Sequence, residues 1–361
     1  MADTPPSATK LGVSILVPCV QELAKGRPSS VPPRYVRAED GVSLMDPGDG
    51  NELQVPVIDF GKLMLGGDAD ATDSELRRLD VACREWGFFQ LINHGVSASL
   101  IEDTKESIHQ LFNLPMEEKL KYWQESGDIE GFGQAFVVSD EQKLDWGDMY
   151  YMVTLPKHLR NPRLFPKLPP PIKDALDEYS AELEKLAMKI LTLMARTLEM
   201  DGEEMSKLFE GGMQGFRMNY YPPCPQPELV HGLTPHSDGV GLTILLQVNE
   251  MEGLQIRKDG NWVPISPIPG AFVINVGDIL EIITNGIYRS IEHRAMTNPV
   301  KERLSIAAFY SPRLDGDMGP APSLVTEDAP QRFKRLSMRD YFKGLFSREL
   351  DRKSYLASLR I

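Results

Sequence analysis

"TPHSDGVGLTILLQV", residues 234–248, opens as a polar turn and closes as an almost wholly apolar run. Leu242–Val248 has the length and composition of a buried strand. Just before it, His236 and Asp238 occupy alternate positions, and side chains two apart on an extended segment point the same way. Two groups that are costly to bury therefore share one face. They form either a solvated strand end or half of a site.

The surrounding sequence has the texture of an all-β unit. From residue 212 onward, short strand-like runs follow one another: "FRMNYYP", "LTILLQV", "LQIRKDGNWVPI", "AFVINV", "LEIIT", "RSIEHRA" and "RLSIAAFYS". Asp259-Gly260 supplies a hairpin turn, and close turns without helices between them predict an antiparallel sandwich or barrel. The chain before residue 212 reads differently. "VPVIDF" (55–60) and "FFQLINHGV" (88–96) are strands. Helical spacing appears over 73–87, over the segment that starts at Ser97 or Ser99 and stops at Pro115, and over 171–200. In the last of these the stripe is Ile172, Leu176, Tyr179, Leu183, Leu186, Ile190, Met194 and Leu198. Met188 and Met194 read as core filler.

The predicted fold class is α+β, with helices around an all-β half in one compact unit. Residues 1–50 read as a Pro/Gly/Ser-rich extended arm ("SSVPPRYV", "DPGDGNE"), 51–211 as a mainly helical region, 212–315 as the all-β core and 316–361 as a helical tail.

With 361 residues, 42% hydrophobic and 25% charged, the composition is that of a soluble globular protein. A net charge of −13 argues against nucleic acid or an anionic membrane as a partner. Cys19, Cys83 and Cys224 form no C-x-x-C pair, so a reducing, cytoplasmic setting is expected. "LGVSILVPCV" after Lys10 is too short, and too interrupted by Pro18, for a secretory signal. No apolar run reaches the ~18 residues of a membrane span.

A His-x-acid pair is expected about once by chance in such a composition, so its value depends on its company. Fifty-five residues beyond Asp238, "YRSIEHRAM" carries His293. Two imidazoles and one carboxylate form the facial triad that binds Fe(II) with open positions opposite, whereas a structural zinc site would want four closed ligands. The plain alternative is a hydrogen-bonded strand histidine and a turn-forming aspartate, and both readings stand on the triad alone. Ten residues further, Arg303 and Ser305 share a strand face with Ala307 and Phe309. An inward arginine needs an anion, either a ligand carboxylate or an internal acid. In "FRMNYYPPCP", Arg217, Asn219 and Tyr221 share a face, and the double proline ends the strand at a rim.

The order N-Y-Y-P-P-C-P, H-x-D, H, R-x-S resembles the plant 2-oxoglutarate and iron(II)-dependent dioxygenases. "VPVIDF", "CREWGFFQLINHGV", "LFNLPMEEKLKYW" and "IEGFGQAFVVSDEQKLDWGDMYY" look like further parts of that family, so the likeness covers roughly residues 55–345. Within the family the chain is similar to the senescence-related branch that includes morphinan O-demethylases, and more distantly to flavonol and anthocyanidin synthases. The resemblance implies a double-stranded β-helix, or jelly roll, flanked by helices. It implies that His236, Asp238 and His293 hold iron, and that Arg303, Ser305, Tyr221 and Asn219 bind 2-oxoglutarate, with no departure at any of these positions.

It further implies O2 as oxidant, ascorbate as a stimulant, and a monomeric plant enzyme of specialised metabolism. Such an enzyme hydroxylates or O-demethylates a hydrophobic aromatic molecule (an alkaloid, flavonoid or other phenylpropanoid) and releases succinate and CO2. Phe309, Phe132, Phe136, Tyr150 and Tyr151 are the candidates for lining the substrate pocket, with ordinary aromatic core as the alternative for each. Two other functions remain open at this point. One is a same-fold iron oxidase that uses no 2-oxoglutarate, and the other is a non-catalytic small-molecule binder.

Overall fold

Alternation along the strands decides which side chains meet. The computed structural model describes residues 14–37, 54–64, 69–201 and 203–361. In chain order its main strands are β1 (Val57–Asp59), β2 (Phe88–Ile92), β3 (Gly131–Gly133), β4 (Asp148–Leu155), β5 (Met213–Tyr221) and β6 (Leu233–His236). They continue with β7 (Leu242–Gln247), β8 (Leu254–Lys258), β9 (Asn261–Pro264), β10 (Phe272–Val276), β11 (His293–Ala295) and β12 (Arg303–Ser311). A large sheet runs β1-β2-β10-β7-β12-β5-β4-β3, and a smaller one runs β6-β11-β8-β9. Phe88 and Val273 of the large sheet pack against Leu254, Ile256 and Val263 of the small one, so the two sheets face each other as a jelly roll.

β12 is the central ruler. It pairs antiparallel with β5 along its whole length, Arg303 opposite Tyr221, Ser305 opposite Asn219 and Phe309 opposite Gly215. Its even-numbered residues Leu304, Ile306 and Ala308 are fully buried on the other face. There they join one core with Ile108, Leu186, Ile190 and Met194 from the helices. The helical layer therefore holds one face of the large sheet while the odd-numbered residues of β12 look into the space between the sheets.

The long helix runs Pro170–Thr197, opens with proline in its first turn, and buries the predicted stripe from Ile172 to Met194. Leu198 is buried just past its end. The helix Ala98–Asn113 starts after Ser97 and ends before Pro115; the Ser97 hydroxyl bonds to that of Ser99. The helix expected at 73–87 is an α-helix over Ala69–Val81 with a wider turn over Ala82–Trp86. It stops at Gly87 in the left-handed region (φ 60°), where a Cβ would lie 2.1 Å from the Arg289 carbonyl oxygen. Asp259 and Gly260, both with positive φ, form the predicted hairpin turn between β8 and β9.

Three differences have physical causes. "LEIIT" is a helix, Asp278–Ile283, with every residue buried. An apolar run buried on all sides carries no periodicity to separate helix from strand, and here Asp278 and Ile279 N–H groups bond to the Asp238 and Val240 carbonyls. Only His293–Ala295 of "RSIEHRA" is strand. The region before residue 212 is more than a helical shell, because it supplies β1–β4 to the large sheet.

The described part of the N-terminal arm is held down. Asp148 accepts N–H bonds from Val20 and Gln21 (2.9 and 2.7 Å) and the Cys19 thiol (3.3 Å), while Val20, Tyr35 and Trp146 share a core. Burial raises Asp148 to about 6 against these donors and Lys119. "DPGDGNE", residues 1–13 and the rest of 38–53 lie outside the described residues.

Candidate active site

His236 closes β6 and His293 opens β11, and the two are register partners across that antiparallel pair. Their rings stand 4.2 Å apart between centroids. Asp238, two residues past His236, places Oδ1 3.5 Å from Nε2 of each histidine. One donor atom from each of the three residues lies within 4.8 Å of the others, and all three side chains are buried.

Hydrogen bonds fix which atoms are free. His236 Nδ1 lies 2.7 Å from the Thr234 carbonyl and His293 Nδ1 3.2 Å from that of Ile291. Carbonyls only accept, so both Nδ1 atoms carry the proton and both Nε2 atoms present lone pairs. Asp238 Oδ2 accepts from Thr243 Oγ1 (2.6 Å) and Asn275 Nδ2 (2.7 Å), which leaves Oδ1 turned toward those lone pairs. Three electron-rich atoms aimed at one point repel each other unless a cation stands between them, so the donor set fits a divalent metal with carbonyl- and amide-oriented ligands. Burial and then the neighbouring His236 press His293 down to about 4, so its imidazole is neutral at neutral pH. Burial alone would raise Asp238; positive charge at the His293 and His236 positions, together with the Thr243 hydroxyl, favours its ionised form, which is the charge a bound cation would bring.

The facing wall is cationic. Arg303 is 3% exposed; its NH2 donates to Gln247 Oε1 at 3.2 Å, and its guanidinium carbon lies 5.5 Å from the Tyr221 ring centre. Its Nε has no partner, and among the described residues no carboxylate lies within 4.0 Å of it. The internal-acid alternative is therefore absent among the described residues, and a buried guanidinium without an anion is a built receptor for one. Burial lowers the Arg303 pKa, with Tyr221 opposing. Ser305 receives a long bond from Asn219 Nδ2 (3.4 Å), while Asn219 Oδ1 accepts from Arg217 Nε (2.9 Å). His236, Asp238, His293, Arg303, Ser305, Asn219 and Tyr221 all line one chamber between the sheets.

An adjoining cavity shares His236, Asp238, Arg217 and Phe309 with that chamber and is otherwise mostly apolar. Phe136 and Tyr151 line it with Phe309. Phe132 and Tyr150 do not, and the expectation for them is corrected. They are register partners on β3 and β4 with rings 6.0 Å apart, buried among Phe112, Trp123 and Tyr122. Tyr150 and Tyr151 are consecutive on a strand, so only one of them can face the cavity.

The sequence reading missed the roof. Phe342, Leu345, Phe346 and Leu350 come from the C-terminal tail, and Phe346 stacks on Phe136 at 5.3 Å. The tail is tied to the ligand strand itself: Ser237 N donates to the Arg352 carbonyl and Arg352 N to that of Pro235, both at 3.1 Å. Thr243 and Asn275 were also missed, although a polar residue inside "LTILLQV" and "AFVINV" is the visible signal. His94 bonds to the Gly270 carbonyl (2.8 Å) and lines neither the chamber nor the cavity.

The chain is similar to known proteins over most of its length. Residues 212–312 match the family model of the 2OG-Fe(II) oxygenase superfamily, and residues 55–168 that of the non-haem dioxygenase in morphine synthesis N-terminal region. The chain is 56% identical to oxoglutarate-dependent flavonoid 7-O-demethylase 1 of Ocimum basilicum over 97% of its own length and 93% of that protein's. It is 50% identical to codeine O-demethylase of Papaver somniferum over 99% of each. The crystal structure of JOX2 in complex with 2OG, Fe and JA superposes with a TM-score of 0.86 at 35% identity, covering 96% of this chain and 98% of that one.

Proposed function

Because the chain belongs to the 2OG-Fe(II) oxygenase superfamily, we propose that it hydroxylates or O-demethylates an aromatic small molecule of plant specialised metabolism, consuming 2-oxoglutarate and O2 and releasing succinate and CO2. The observation that carries the residue assignment is the opposition, across one chamber, of three converging lone-pair donors and a buried arginine without an acid. On this reading His236, Asp238 and His293 hold Fe(II). Arg303 and Ser305, with Tyr221 and Asn219, hold the distal carboxylate of 2-oxoglutarate. Bound iron supplies the oxidative decarboxylation of the 2-oxo acid and the oxidation of a neighbouring C–H bond.

The chain's own residues do the rest. Thr243 and Asn275 hold Asp238 so that one oxygen serves the metal. Phe309, Phe136 and Tyr151 hold a flat ring beside the ligand triad, and the tail residues Phe342 and Phe346 keep water from it. A hydroxylated methoxy carbon is a hemiacetal, which leaves as formaldehyde and frees a phenol or alcohol. Relatives named as flavonoid and codeine O-demethylases support that outcome.

The reading places the enzyme in the cytoplasm as a monomer. The three free, buried cysteines support a reducing setting, and no helix among the described residues is long and apolar enough to cross a membrane. The test is succinate and formaldehyde release with Fe(II), ascorbate, 2-oxoglutarate and a panel of methoxylated flavonoids and alkaloids. Substrate-dependent succinate that disappears in His236→Ala is expected; no succinate above background with any substrate contradicts the proposal.

A further inference from the structure

The two histidines of the triad are oriented by main-chain carbonyls, and each of those carbonyls adjoins a peptide held by the C-terminal tail. His236 Nδ1 bonds to the Thr234 carbonyl, and the next carbonyl along, that of Pro235, accepts from Arg352 N at 3.1 Å. Ser237 N returns a bond of the same length to the Arg352 carbonyl. His293 Nδ1 bonds to the Ile291 carbonyl, and the carbonyl before it, that of Ser290, accepts from Lys353 Nζ. Two consecutive tail residues therefore clasp both histidine arms, and neither of them lines the chamber.

Lys353 is aimed at Ser290 by a buried acid. Glu281 is 2% exposed on the helix Asp278–Ile283, and its Oε2 accepts from both Lys353 Nζ (2.9 Å) and Ser290 N (2.8 Å). Ser290 is thus held at its N–H by the carboxylate and at its carbonyl by the amine that the carboxylate orients. Arg360 binds the other oxygen of Glu281 at 2.6 Å without bonding to Ser290. One cation only neutralises the acid, whereas the other also grips the segment leading into His293. The same tail roofs the cavity. Tyr355 Oη donates to the Tyr341 carbonyl at 2.8 Å, which joins the clasp to the helix Met338–Phe346 and its Phe342 and Phe346.

A histidine ligand binds a metal well only while its ring keeps one tilt, and the acceptor of its Nδ1 proton sets that tilt. A carbonyl in an untethered loop can turn away. One whose neighbouring peptide is bonded on both sides turns only by breaking those bonds.

We infer that Lys353 is a positioning residue of the metal centre, acting through Ser290 on His293, and that the Arg352 main chain does the same for His236. This rests on the assignment of Fe(II) to the triad and extends that assignment to the far end of the chain. The segment that shields the substrate then also sets the affinity for the metal.

The test is equilibrium dialysis of anaerobic full-length protein against Fe(II), with the visible absorption of the Co(II)-loaded protein read beside it. Lys353→Met is expected to weaken Fe(II) binding about tenfold or more and to shift the Co(II) bands, because the His293 ring changes its approach. Lys353→Arg, which keeps a donor at that place, should recover most of the affinity. Arg360→Met removes the other cation from Glu281 and should stay within about threefold of wild type, with unshifted bands. If Lys353→Met does not fold, Lys353→Met with Glu281→Gln, which removes the acid together with its partner, takes its place with the same expectation.

Fe(II) affinity of Lys353→Met within about threefold of wild type overturns the inference. So does an equal loss in Arg360→Met, or a loss with unshifted Co(II) bands, since either makes Lys353 a support of the fold alone. Failure of both the single and the double variant to fold does the same. A wild type that binds no Fe(II) contradicts the triad assignment itself, so the two failures are read apart in one experiment.

Discussion

Replacing Arg303 by methionine separates two roles that a buried arginine can have. In the protein without ligand, Arg303 is 3% exposed, has an unpaired Nε, and has no acid within 4.0 Å among the described residues. Its burial is therefore a cost to folding, and an apolar stem of similar length should leave stability unchanged or raise it. With 2-oxoglutarate bound, the same change removes both the charge and the fork that face its distal carboxylate, leaving that carboxylate buried and unpaired. Removing one partner of such a pair costs about 3–5 kcal/mol. At about 1.4 kcal/mol per factor of ten, 2-oxoglutarate should bind on the order of 100- to 3,000-fold more weakly.

Calorimetry on anaerobic Mn(II)-loaded protein reads the affinity, and a melting curve without ligand reads the stability. Wild type should also gain about 2.7 kcal/mol of stability at 100 times the Kd, a gain the variant should not show. Affinity within threefold of wild type refutes the assignment. A ligand-free Tm that falls steeply would make Arg303 a structural pillar instead.

Other consequences follow from neighbouring geometry. Asn275→Leu removes one donor to Asp238 Oδ2 and should weaken Fe(II) binding about 10- to 100-fold by equilibrium dialysis while leaving the fold intact. Phe132→Ala, in the helical core, should cost about 3–5 kcal/mol in a denaturant melt; Phe136→Ala, on the cavity wall, should cost far less stability and raise the substrate KM. Equal effects of the two on stability would contradict the placement of the rings. Asp148 has its folded pKa raised to about 6, above an ordinary carboxylate near 4. The folded state therefore holds more protons between these values, and the group's contribution is present below about pH 4 and lost as pH rises through about 6. The difference in stability between wild type and Asp148→Asn, followed from pH 4 to 7, should move in that direction; a flat difference would contradict it.

How much was legible follows from what a strand pattern can carry. His236 and Asp238 on alternate positions, and Arg303, Ser305 and Phe309 on another alternation, are local facts, and the sheet only had to bring the two sets together. Which face of an isolated strand looks inward is a tertiary fact, and that is why Phe132 and Tyr150 were assigned to the wrong side. Tyr150, consecutive with Tyr151, already allowed only one of the two to face the cavity. The helix Asp278–Ile283 was hidden because complete burial erases periodicity. The C-terminal roof was hidden because the amphipathic helix Met338–Phe346 advertises an apolar face without naming what it covers. Thr243 and Asn275 were the readable signals left unread: polar side chains in apolar strands needed a partner, and that partner is Asp238.

The account depends most on the claim that His236, Asp238 and His293 converge because a metal belongs between them. Equilibrium dialysis of anaerobic wild type and Asp238→Ala against Fe(II), with metal counted per chain, tests it most directly. The account predicts one Fe(II) per wild-type chain and none retained by Asp238→Ala, with the variant still folded by circular dichroism. Stoichiometric iron in folded Asp238→Ala, or none in wild type, would contradict it.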